Sequence, residues 1–325
     1  MNEFELIERF FARPPRHGGV RVGVGDDAAL LLPTPGCELA ASVDMLVAGR
    51  HFLADADAAG LGHKSLAVNL SDMAAMGAQP RWALLAGALP EADAAWLGAF
   101  ARGFFALADA FDVDLVGGDT TAGPLNLCVT ILGEVPCGQA LLRSGAREGD
   151  DIYVSGPLGD AALGLAALQG RTTLDDAAYA QARQRLEWPQ PRVALGIALR
   201  GIASAALDVS DGLTGDLGHI LERSRVGACV ELEAVPRSPA LAAKLAGAER
   251  QLALACLLAG GDDYELCFTA PVAQRQAIAA LATTHRPAPV RIGSITGGRE
   301  LVVVDAAGTR LVRLPRAFDH FGASA

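Results

Sequence analysis

The chain has 325 residues, with 27 Lys or Arg and 37 Asp or Glu, which gives a formal net charge of −10. This length favours two domains of ordinary size, and the acidic balance argues against binding nucleic acid through a broad basic surface. The apolar runs are shorter than the roughly 18 residues that a membrane span needs, and the acidic start does not resemble a secretory signal. The sequence therefore predicts a cytoplasmic protein without membrane contacts.

The six cysteines are far apart in sequence and contain no C-x-x-C pair. Most of them lie in apolar runs, which is typical of reduced core thiols rather than of zinc ligands. Because the chain is acidic, an anionic ligand would need a metal ion to mediate its binding. The sequence therefore directs attention to oxygen ligands and hard cations.

The N-terminal region begins with apolar residues spaced over positions 4–10, which predict a short amphipathic helix. Asp26 and Asp27 follow on a glycine-rich turn just before the apolar run 28–32. Adjacent carboxylates repel each other unless a cation joins them. Gly and Asp are also ordinary turn residues, so a plain surface turn is the alternative interpretation.

Residues 39–44 predict a strand that ends in a hydroxyl and a carboxylate, Ser42 and Asp44. His51 lies in the loop that follows. An imidazole there can donate a hydrogen bond to a phosphate or carboxylate. A histidine with no functional role is the alternative for a loop position.

The stretch 61–77 predicts a helix with two sets of side chains at three- and four-residue steps: apolar Leu66, Leu70, Met73 and Met76, and polar Ser65, Asn69 and Asp72. A carboxylate among so many apolar residues is costly to bury without a cation or donors. Lys64 lies roughly 12 Å from Asp72 along the axis, too far for direct pairing. A metal-binding Asp72 is one interpretation, and a solvated helix face is the other.

Residues 82–88 then predict a strand, and Pro90 begins a predicted long helix that extends to residue 111. The strand predicted over 113–116 leads into Gly117, Gly118 and Asp119, followed by two threonines. Glycines let a backbone approach phosphate oxygens, and Asp119 can hold a hard cation. The sequence therefore predicts a phosphate and metal corner here, with an Asx-turn as the alternative. Arg143, in a later polar turn, can reach a nucleotide phosphate.

The charged turn 146–150 is the predicted domain junction. A strand over 152–155 and a glycine loop follow, and the loop lacks the G-K-[ST] ending of a Walker A motif. Residues 173–199 predict helices broken at 188–191. Asp208 and Ser210 then share one face of an extended segment, and Asp211 stands at a helix entry, where Ser or Asp can also act as a cap. The Gly-Gly-Asp theme recurs at 260–262 before another strand.

The recurring feature is a carboxylate beside Gly, Ser or Thr near the end of a predicted element. Its members are Asp26, Asp27, Asp44, Asp72, Asp119, Asp208 and Asp211. They provide more hard oxygen ligands than folding requires, and several bound Mg²⁺ ions would account for them.

Taken together and in order, these motifs resemble the thiamine-monophosphate kinase family, which belongs to the superfamily of aminoimidazole ribonucleotide synthetase and selenophosphate synthetase. The resemblance is nearly full-length. It rests on Gly23-Val-Gly-Asp-Asp27, Ser42-Val-Asp44, Gly49-Arg-His51-Phe52, Asn69-Leu-Ser-Asp72-Met-Ala-Ala-Met-Gly77, Gly117-Gly-Asp-Thr120, Asp208-Val-Ser-Asp211-Gly212, Gly260-Gly-Asp-Asp-Tyr-Glu265 and Phe318-Asp-His-Phe321.

The resemblance implies an α+β protein with two domains, 1–146 and 147–325, each a mixed, mainly antiparallel sheet covered by helices. The N-terminal domain would bind ATP and metal, and its sheets would join in a dimer barrel. The C-terminal domain would complete the nucleotide and substrate site. The implied reaction is direct, in-line transfer of the ATP γ-phosphoryl group to thiamine monophosphate on a magnesium cluster, giving thiamine diphosphate.

The resemblance also implies roles for individual residues. The implied magnesium ligands are Asp27, Ser42, the backbone of Val43, Asp44, Asp72, Asp119, Asp208 and Asp211. Among these, Asp72, Asp119 and Asp211 are the implied catalytic carboxylates. The implied ATP contacts are Gly118, Asp119, Arg143 and Ser210, and the implied contacts to thiamine monophosphate are His51, Asp262 and Phe318.

Two positions depart from the family pattern. Val43 replaces the usual threonine and removes a side-chain hydroxyl, and Asp262 is one methylene shorter than the usual Glu. Two alternative functions remain at this stage: another ATP-using enzyme of the superfamily, similar to aminoimidazole ribonucleotide synthetase, and a non-catalytic dimer that binds magnesium and nucleotide. Product analysis and a turnover assay distinguish them.

Overall fold

The computed structural model describes residues 2–316, and the predicted contact Phe318 lies outside them. The chain divides into two compact units. Within the described residues, unit 1 comprises 2–73 and 78–138, and unit 2 comprises 74–77 and 139–316.

Unit 1 contains three helices and six strands. The helices are α1 (Glu3–Phe10), α2 (Ala58–Ala75, which continues two residues into unit 2) and α3 (Ala94–Phe111). The strands are β1 (Val20–Val22), β2 (Leu30–Leu31), β3 (Cys37–Val47), β4 (Gln79–Leu89), β5 (Asp114–Ala122) and β6 (Asn126–Pro136). Strands β1 and β2 form a small antiparallel pair, and the main sheet has the order β3-β6-β4-β5. Only the β4–β5 pairing of this main sheet is parallel.

Unit 2 has a six-stranded sheet and seven α-helices within the described residues. The strands are β7 (Asp151–Val154), β8 (Ala205–Val209), β9 (Gly227–Glu231), β10 (Glu265–Ala270), β11 (Val290–Thr296) and β12 (Leu301–Val304). The helices are α4 (Asp160–Leu168), α5 (Asp176–Glu187), α6 (Val193–Ala198), α7 (Leu213–Ser224), α8 (Pro239–Ala246), α9 (Arg250–Ala259) and α10 (Arg275–Thr284). The sheet order is β12-β9-β11-β7-β10-β8, and only β12–β9 is parallel.

Helix α2 differs from the predicted amphipathic helix. Leu66, Leu70 and Met73 are buried as expected, but Ser65 and Asn69 on the polar face are buried as well. The Asn69 side chain donates to the Ser65 carbonyl at 3.0 Å. The solvated-face interpretation is therefore wrong for most of this face, because α2 packs inside unit 1 on both sides.

Helix α3 is the neighbour that packs closely on α2. Glycines make this approach feasible, since a Cβ on Gly62 would lie 2.1 Å from the Phe100 carbonyl oxygen, and one on Gly103 would lie 1.8 Å from that of Ala59. By length and composition α3 could cross a membrane. Its large side chains instead belong to the core of unit 1, where Phe100 and Phe104 are fully buried.

Three predicted boundaries are wrong. Strand β3 continues past Asp44 to Val47, so Ser42 and Asp44 lie inside the strand. Gly118 and Asp119 also lie inside a strand, β5, because its parallel pairing with β4 continues to Ala122. Helix α3 begins after Asp93, whose side chain accepts from the Ala95 N–H, and not at Pro90.

Candidate functional site

Strand β3 presents the predicted site residues toward helix α2. Within residues 39–46 the odd-numbered side chains are exposed and the even-numbered ones are partly or fully buried. Ser42 lies on the inner face and its hydroxyl donates a short hydrogen bond to Asp72 Oδ2 on α2. Asp44 shares this face because strand side chains alternate. The structure therefore brings Ser42 and Asp72 together, and it places the Val43 side chain on the opposite face.

Asp26, Asp27 and Asp119 line one cavity of unit 1, with a volume of about 660 Å³. The Asp27 N–H donates to Asp26 Oδ1 at 2.9 Å, which fixes the turn between the two acids. The remaining wall is mostly apolar and includes Trp96 and Phe100 from α3. The cavity thus combines a carboxylate rim with an aromatic wall.

Gly118 lies on the wall of the same cavity and needs to be glycine. Its φ is +154°, and a Cβ there would lie 1.8 Å from the Leu85 carbonyl oxygen on β4. The glycine is therefore required by the close approach of β4, and Gly118 is also exposed, which suits close approach by a phosphate. The predicted phosphate and metal chemistry of the Gly-Gly-Asp motif stays a prediction, and the predicted position of the motif after the end of a strand was wrong.

Asp44 lies close to this cavity. Cys128 on β6 lines the cavity, and burial, followed by the nearby Asp44 carboxylate, raises the pKa of its thiol. Because a negative charge disfavours formation of a thiolate, the second cause indicates that Asp44 lies near Cys128. Asp44 itself is not among the residues that line the cavity.

His51 lies in the loop after β3, and its Nδ1 accepts a hydrogen bond from the Val47 N–H at 3.0 Å. The His51 N–H in turn donates to the Val47 carbonyl at 3.0 Å. A neutral imidazole that accepts at Nδ1 carries its proton at Nε2. His51 is therefore held as a donor through Nε2, the form that suits a phosphate or carboxylate ligand.

In unit 2 a single carboxylate organises the segment that follows β8. Asp216, on α7, accepts hydrogen bonds at Oδ2 from the backbone N–H groups of Ser210, Asp211 and Gly212, each at 3.0 Å. Burial raises the pKa of Asp216 to about 6, although these donors act in the opposite direction. The alternative interpretation, in which Ser or Asp caps the helix at this entry, does not hold, since the N-cap is Gly212, which makes no side-chain cap.

Asp262 lies in the segment just before β10, where two residues have left-handed backbone conformations. Asp262 and Tyr264 have φ values of +68° and +50°, which side chains with a Cβ rarely adopt. The Tyr264 hydroxyl donates to Asp262 Oδ1 at 3.2 Å. Asp263 accepts from the Gly159 N–H at 2.9 and 2.8 Å, and burial raises the pKa of its carboxyl well above 3.8. Strained backbone of this kind is concentrated at functional sites.

Sequence reasoning assigned no role to Asp216 or Asp263. An acidic residue in the first turn of a helix was the available indication for Asp216, since such residues interact with the N-terminal N–H groups.

Arg143, which was predicted to contact phosphate, is exposed. Its loop is held by the Ser224 hydroxyl, which accepts from the Gly145 and Ala146 N–H groups at 3.1 and 3.2 Å.

The donors suit Mg²⁺ by type, because carboxylate and hydroxyl oxygens are its preferred protein ligands. Over residues 2–316, no group of three or more His, Cys, Asp or Glu side chains is arranged to hold a metal ion. What the structure provides is the Ser42–Asp72 contact and the acids around one cavity of unit 1.

Comparison with known proteins connects these features. Residues 25–135 match the family described as AIR synthase related protein, N-terminal domain, and residues 147–306 match the C-terminal domain of that family. The chain is also 46% identical over 323 residues to thiamine-monophosphate kinase of Escherichia coli K12, with 98% of each chain covered. The chain belongs to the thiamine-monophosphate kinase family.

Solved structures agree with this membership in the kinase family. Thiamine-monophosphate kinase from Stenotrophomonas maltophilia K279a is 50% identical, with a TM-score of 0.85 over 93% of this chain and 96% of that one. The structure described as "AaThiL complexed with AMPPCP and TMP" is 28% identical, with a TM-score of 0.77 over 89% of each chain. The family resemblance expected from the motifs is confirmed, and the chain is a kinase with two domains of mixed α/β structure.

Proposed function

We propose that the chain phosphorylates thiamine monophosphate with ATP, which gives thiamine diphosphate and ADP. The observation that carries the proposal is the identity to thiamine-monophosphate kinases over nearly the whole chain. A relative in complex with AMPPCP, an ATP analogue, and TMP supports the same pair of substrates. The motif residues proposed to act on them occur in this chain in the order given above.

The proposed magnesium ligands in unit 1 are Asp27, Ser42, Asp44, Asp72 and Asp119, with the backbone of Val43. Those in unit 2 are Asp208 and Asp211. The contact of the Ser42 hydroxyl with Asp72, and the shared inner face of Ser42 and Asp44, support the first set. When bound, Mg²⁺ would neutralise charge on the phosphates. This accounts for a chain of net charge −10 that binds two anions.

The proposed nucleotide contacts are Gly118 and Asp119 in unit 1 and Arg143 and Ser210 in unit 2. Gly118 supports this assignment, because it is exposed and lines the cavity. The exposed guanidinium of Arg143 is suited to bind phosphate oxygens.

The proposed contacts to thiamine monophosphate are His51, Asp262 and Phe318. His51 would donate from Nε2 to the acceptor phosphate, and Asp262 would face the cationic thiamine moiety. The left-handed backbone of Asp262 supports a functional role, because such conformations are costly to keep. Phe318 is proposed on its motif alone.

Transfer is proposed to be direct and in line. The acceptor phosphate is largely ionised at neutral pH, since its second pKa is about 6, and so needs no strong base. His51, the one candidate carrier among the motif residues, accepts the Val47 N–H at Nδ1, so its neutral ring would present Nε2 as a donor rather than as a nucleophile. The chain's own contribution is to hold the two phosphates in line for transfer.

We also propose a homodimer formed through the N-terminal sheet. The outer face of β3 bears Leu39, Val43 and Met45, each more than half exposed, and Leu30 and Leu32 nearby in sequence are similarly exposed. Monomeric proteins seldom expose so many large apolar side chains together. A second copy that continues this sheet as a barrel would cover them.

The deciding experiment is incubation of the purified chain with ATP, Mg²⁺ and thiamine monophosphate, followed by chromatography. We expect thiamine diphosphate and ADP in equal amounts. A parallel reaction with chiral γ-phosphate should give inverted product if transfer is direct. Absence of thiamine diphosphate would refute the function, whereas retention of configuration would refute only the direct mechanism.

A further inference from the structure

The buried carboxylate of Asp216 makes an unusual set of contacts. Asp216 lies in the first turn of α7 and is only 5% exposed. One oxygen, Oδ2, accepts three successive backbone N–H groups, those of residues 210–212. Carboxylates accept stronger hydrogen bonds than neutral groups do. A single side chain thus fixes the path of the backbone through this segment.

The 208–212 segment is in turn bonded to the 260–264 segment. The Asp262 N–H donates to the Ser210 carbonyl at 2.9 Å, and the Tyr264 N–H donates to the Val209 carbonyl at 2.8 Å. The Thr214 hydroxyl adds a bond to the Leu258 carbonyl at 2.8 Å. The two segments are therefore joined through their main chains.

The two segments pack backbone against backbone, and glycine is the only residue that fits at two of the contacts. A Cβ on Gly212 would lie 2.5 Å from the carbonyl carbon of Ala259, and a Cβ on Gly261 would lie 2.4 Å from the Ser210 carbonyl oxygen. Gly212 also has a φ of +113°, which L side chains rarely adopt. Displacement of one segment must consequently displace the other.

From this geometry we infer that Asp216 is a positioning residue that aligns the 208–212 segment and, through it, the 260–264 segment. The inference deepens the proposed function, because Ser210 and Asp211 are proposed to act on ATP and magnesium, and Asp262 on the acceptor. Asp216 itself contacts neither substrate in this scheme. Its effect is to keep the residues for the two substrates in one fixed relation.

An ordinary helix N-terminus offers a simpler role for Asp216, since acidic side chains in the first turn stabilise helices. The two roles differ in what they predict. A helix-stabilising role lowers the melting temperature and leaves the KM values of the folded enzyme unchanged. A positioning role alters kcat and both KM values in enzyme that is still folded.

The test uses three variants of the full chain at Asp216. Asp216→Ala removes the acceptor, and Asp216→Glu keeps the charge but moves the acceptor by one bond, about 1.5 Å. Asp216→Asn keeps an acceptor oxygen in place without the charge. Asp150→Ala is the matched control, because Asp150 is also buried in unit 2 and accepts from the Arg147 N–H at 3.0 Å and the Ser204 hydroxyl at 2.6 Å.

We expect Asp216→Ala and Asp216→Glu to lower kcat/KM by about 10²-fold, since a misplacement of about 1 Å has that effect. The KM values for ATP and for thiamine monophosphate should rise together. Asp216→Asn should retain activity within about tenfold, because its oxygen restores the acceptor. Asp150→Ala should keep the KM values of the parent.

Hydrogen exchange provides a readout that does not depend on turnover. We expect amides in peptides that cover 208–214 and 260–266 to lose protection in Asp216→Ala and Asp216→Glu, and to keep it in Asp216→Asn. These measurements still decide the inference if the wild-type chain makes no thiamine diphosphate, an outcome that would refute the proposed function alone. If Asp216→Ala does not fold, the Glu and Asn variants carry the same comparison.

Either of two results would overturn the inference. The first is wild-type protection of both segments in Asp216→Ala and Asp216→Glu. The second is loss of activity in the Asp216 variants in proportion to the unfolded fraction, with both KM values unchanged.

Discussion

Asp72 gives the most direct test of the carboxylate sites at the scale of one residue. Replacement of Asp72 by Asn keeps the size and the hydrogen bond to Ser42 but removes the charge that a cation requires. We expect turnover to fall by at least about 10²-fold, because loss of even supporting groups at metal sites costs 10–100-fold. The melting temperature without Mg²⁺ should be nearly unchanged.

Asp109→Asn is the control for that variant, since Asp109 is an exposed carboxylate of unit 1 that pairs with Arg13 and Arg16. Its activity should equal that of the parent chain. Full activity in Asp72→Asn, or undiminished turnover of the parent in excess EDTA, would contradict the magnesium proposal.

Asp160 should make stability depend on pH. Burial raises the pKa of this carboxyl above its ordinary value of 3.8, and the Ser238 hydroxyl and Arg185 offset the shift only in part. The folded chain therefore retains a proton that the unfolded chain releases, so wild-type stability falls as pH rises through this window. We expect the free energy of unfolding of Asp160→Asn, relative to wild type, to increase from about pH 4 to about pH 7. Urea unfolding at several pH values measures it.

Asp151→Asn is the control of opposite sign. Hydrogen bonds from Arg275 and then Arg291 lower the pKa of Asp151 despite its burial. Its carboxylate therefore stabilises the fold above its ordinary value of 3.8 and loses this contribution as pH falls. A urea series that extends below pH 3.8 should show Asp151→Asn losing stability relative to wild type as pH rises toward 3.8, with little further change at higher pH. A parallel trend in the two variants would refute the argument.

The sequence shows which acidic residues lie beside Gly, Ser or Thr, but it does not show which groups each carboxylate contacts in the fold. Gly, Ser and Thr beside Asp26, Asp44 and Asp119 were visible as motifs. In sequence, Asp216 looks like any acidic residue in the first turn of a helix. Its three backbone donors come from a turn that exists only in the folded chain, so the sequence alone does not show them. Residue type could be read locally, whereas hydrogen-bond partners depend on tertiary structure.

At the scale of elements, the contact between α2 and α3 depends on glycine. A Cβ on Gly103 would lie 1.8 Å from the Ala59 carbonyl oxygen. Gly103→Ala should therefore push the helices apart and reduce the free energy of unfolding by about 1–3 kcal/mol, as overpacked cores do. Denaturant unfolding of the purified variant measures this change.

Gly98→Ala, on the same helix, is the matched control. The nearest atoms to its Cβ would be side-chain atoms of Phe10 at 3.5 Å and Arg102 at 3.7 Å, which are ordinary contacts. Since alanine favours helix, this variant should gain about 0.5–1 kcal/mol. Equal effects at the two positions would contradict the packing argument.

Elements were predicted in their order and type more reliably than in their ends. Periodicity identified α2, a Pro start before an alanine-rich run identified α3, and the helical stretch predicted with a break at 188–191 became α5 and α6. It misplaced the ends of β3 and β5, because pairing with β6 and β4 extends both strands through polar and glycine residues. Strand length is decided by the neighbouring strand, which a local pattern does not contain.

At the scale of the whole molecule, the apolar outer face of β3 predicts assembly. Leu39 is 51% exposed, and Leu39→Glu places a charge on the proposed dimer surface. We expect the variant to be monomeric by light scattering at concentrations where the parent is a dimer. Burial of an unpaired charge at an interface core is the reason.

Val272→Glu is the control, because Val272 is an apolar residue of similar exposure, 49%, in unit 2. It should leave the assembly unchanged. A parent chain that is monomeric in solution would refute the dimer, and a dimer that survives Leu39→Glu would place the interface elsewhere.

The alternation of buried and exposed side chains along β3 limits how this strand can change in length. Over residues 39–46, one face of the strand bears Ser42 and Asp44, and the other bears the exposed apolar row. Insertion or deletion of one residue reverses the two faces for the rest of the strand, which turns the carboxylate outward and buries the apolar row against α2. A gain or loss of two residues preserves the alternation. Tolerated length variation in this strand should therefore occur in steps of two.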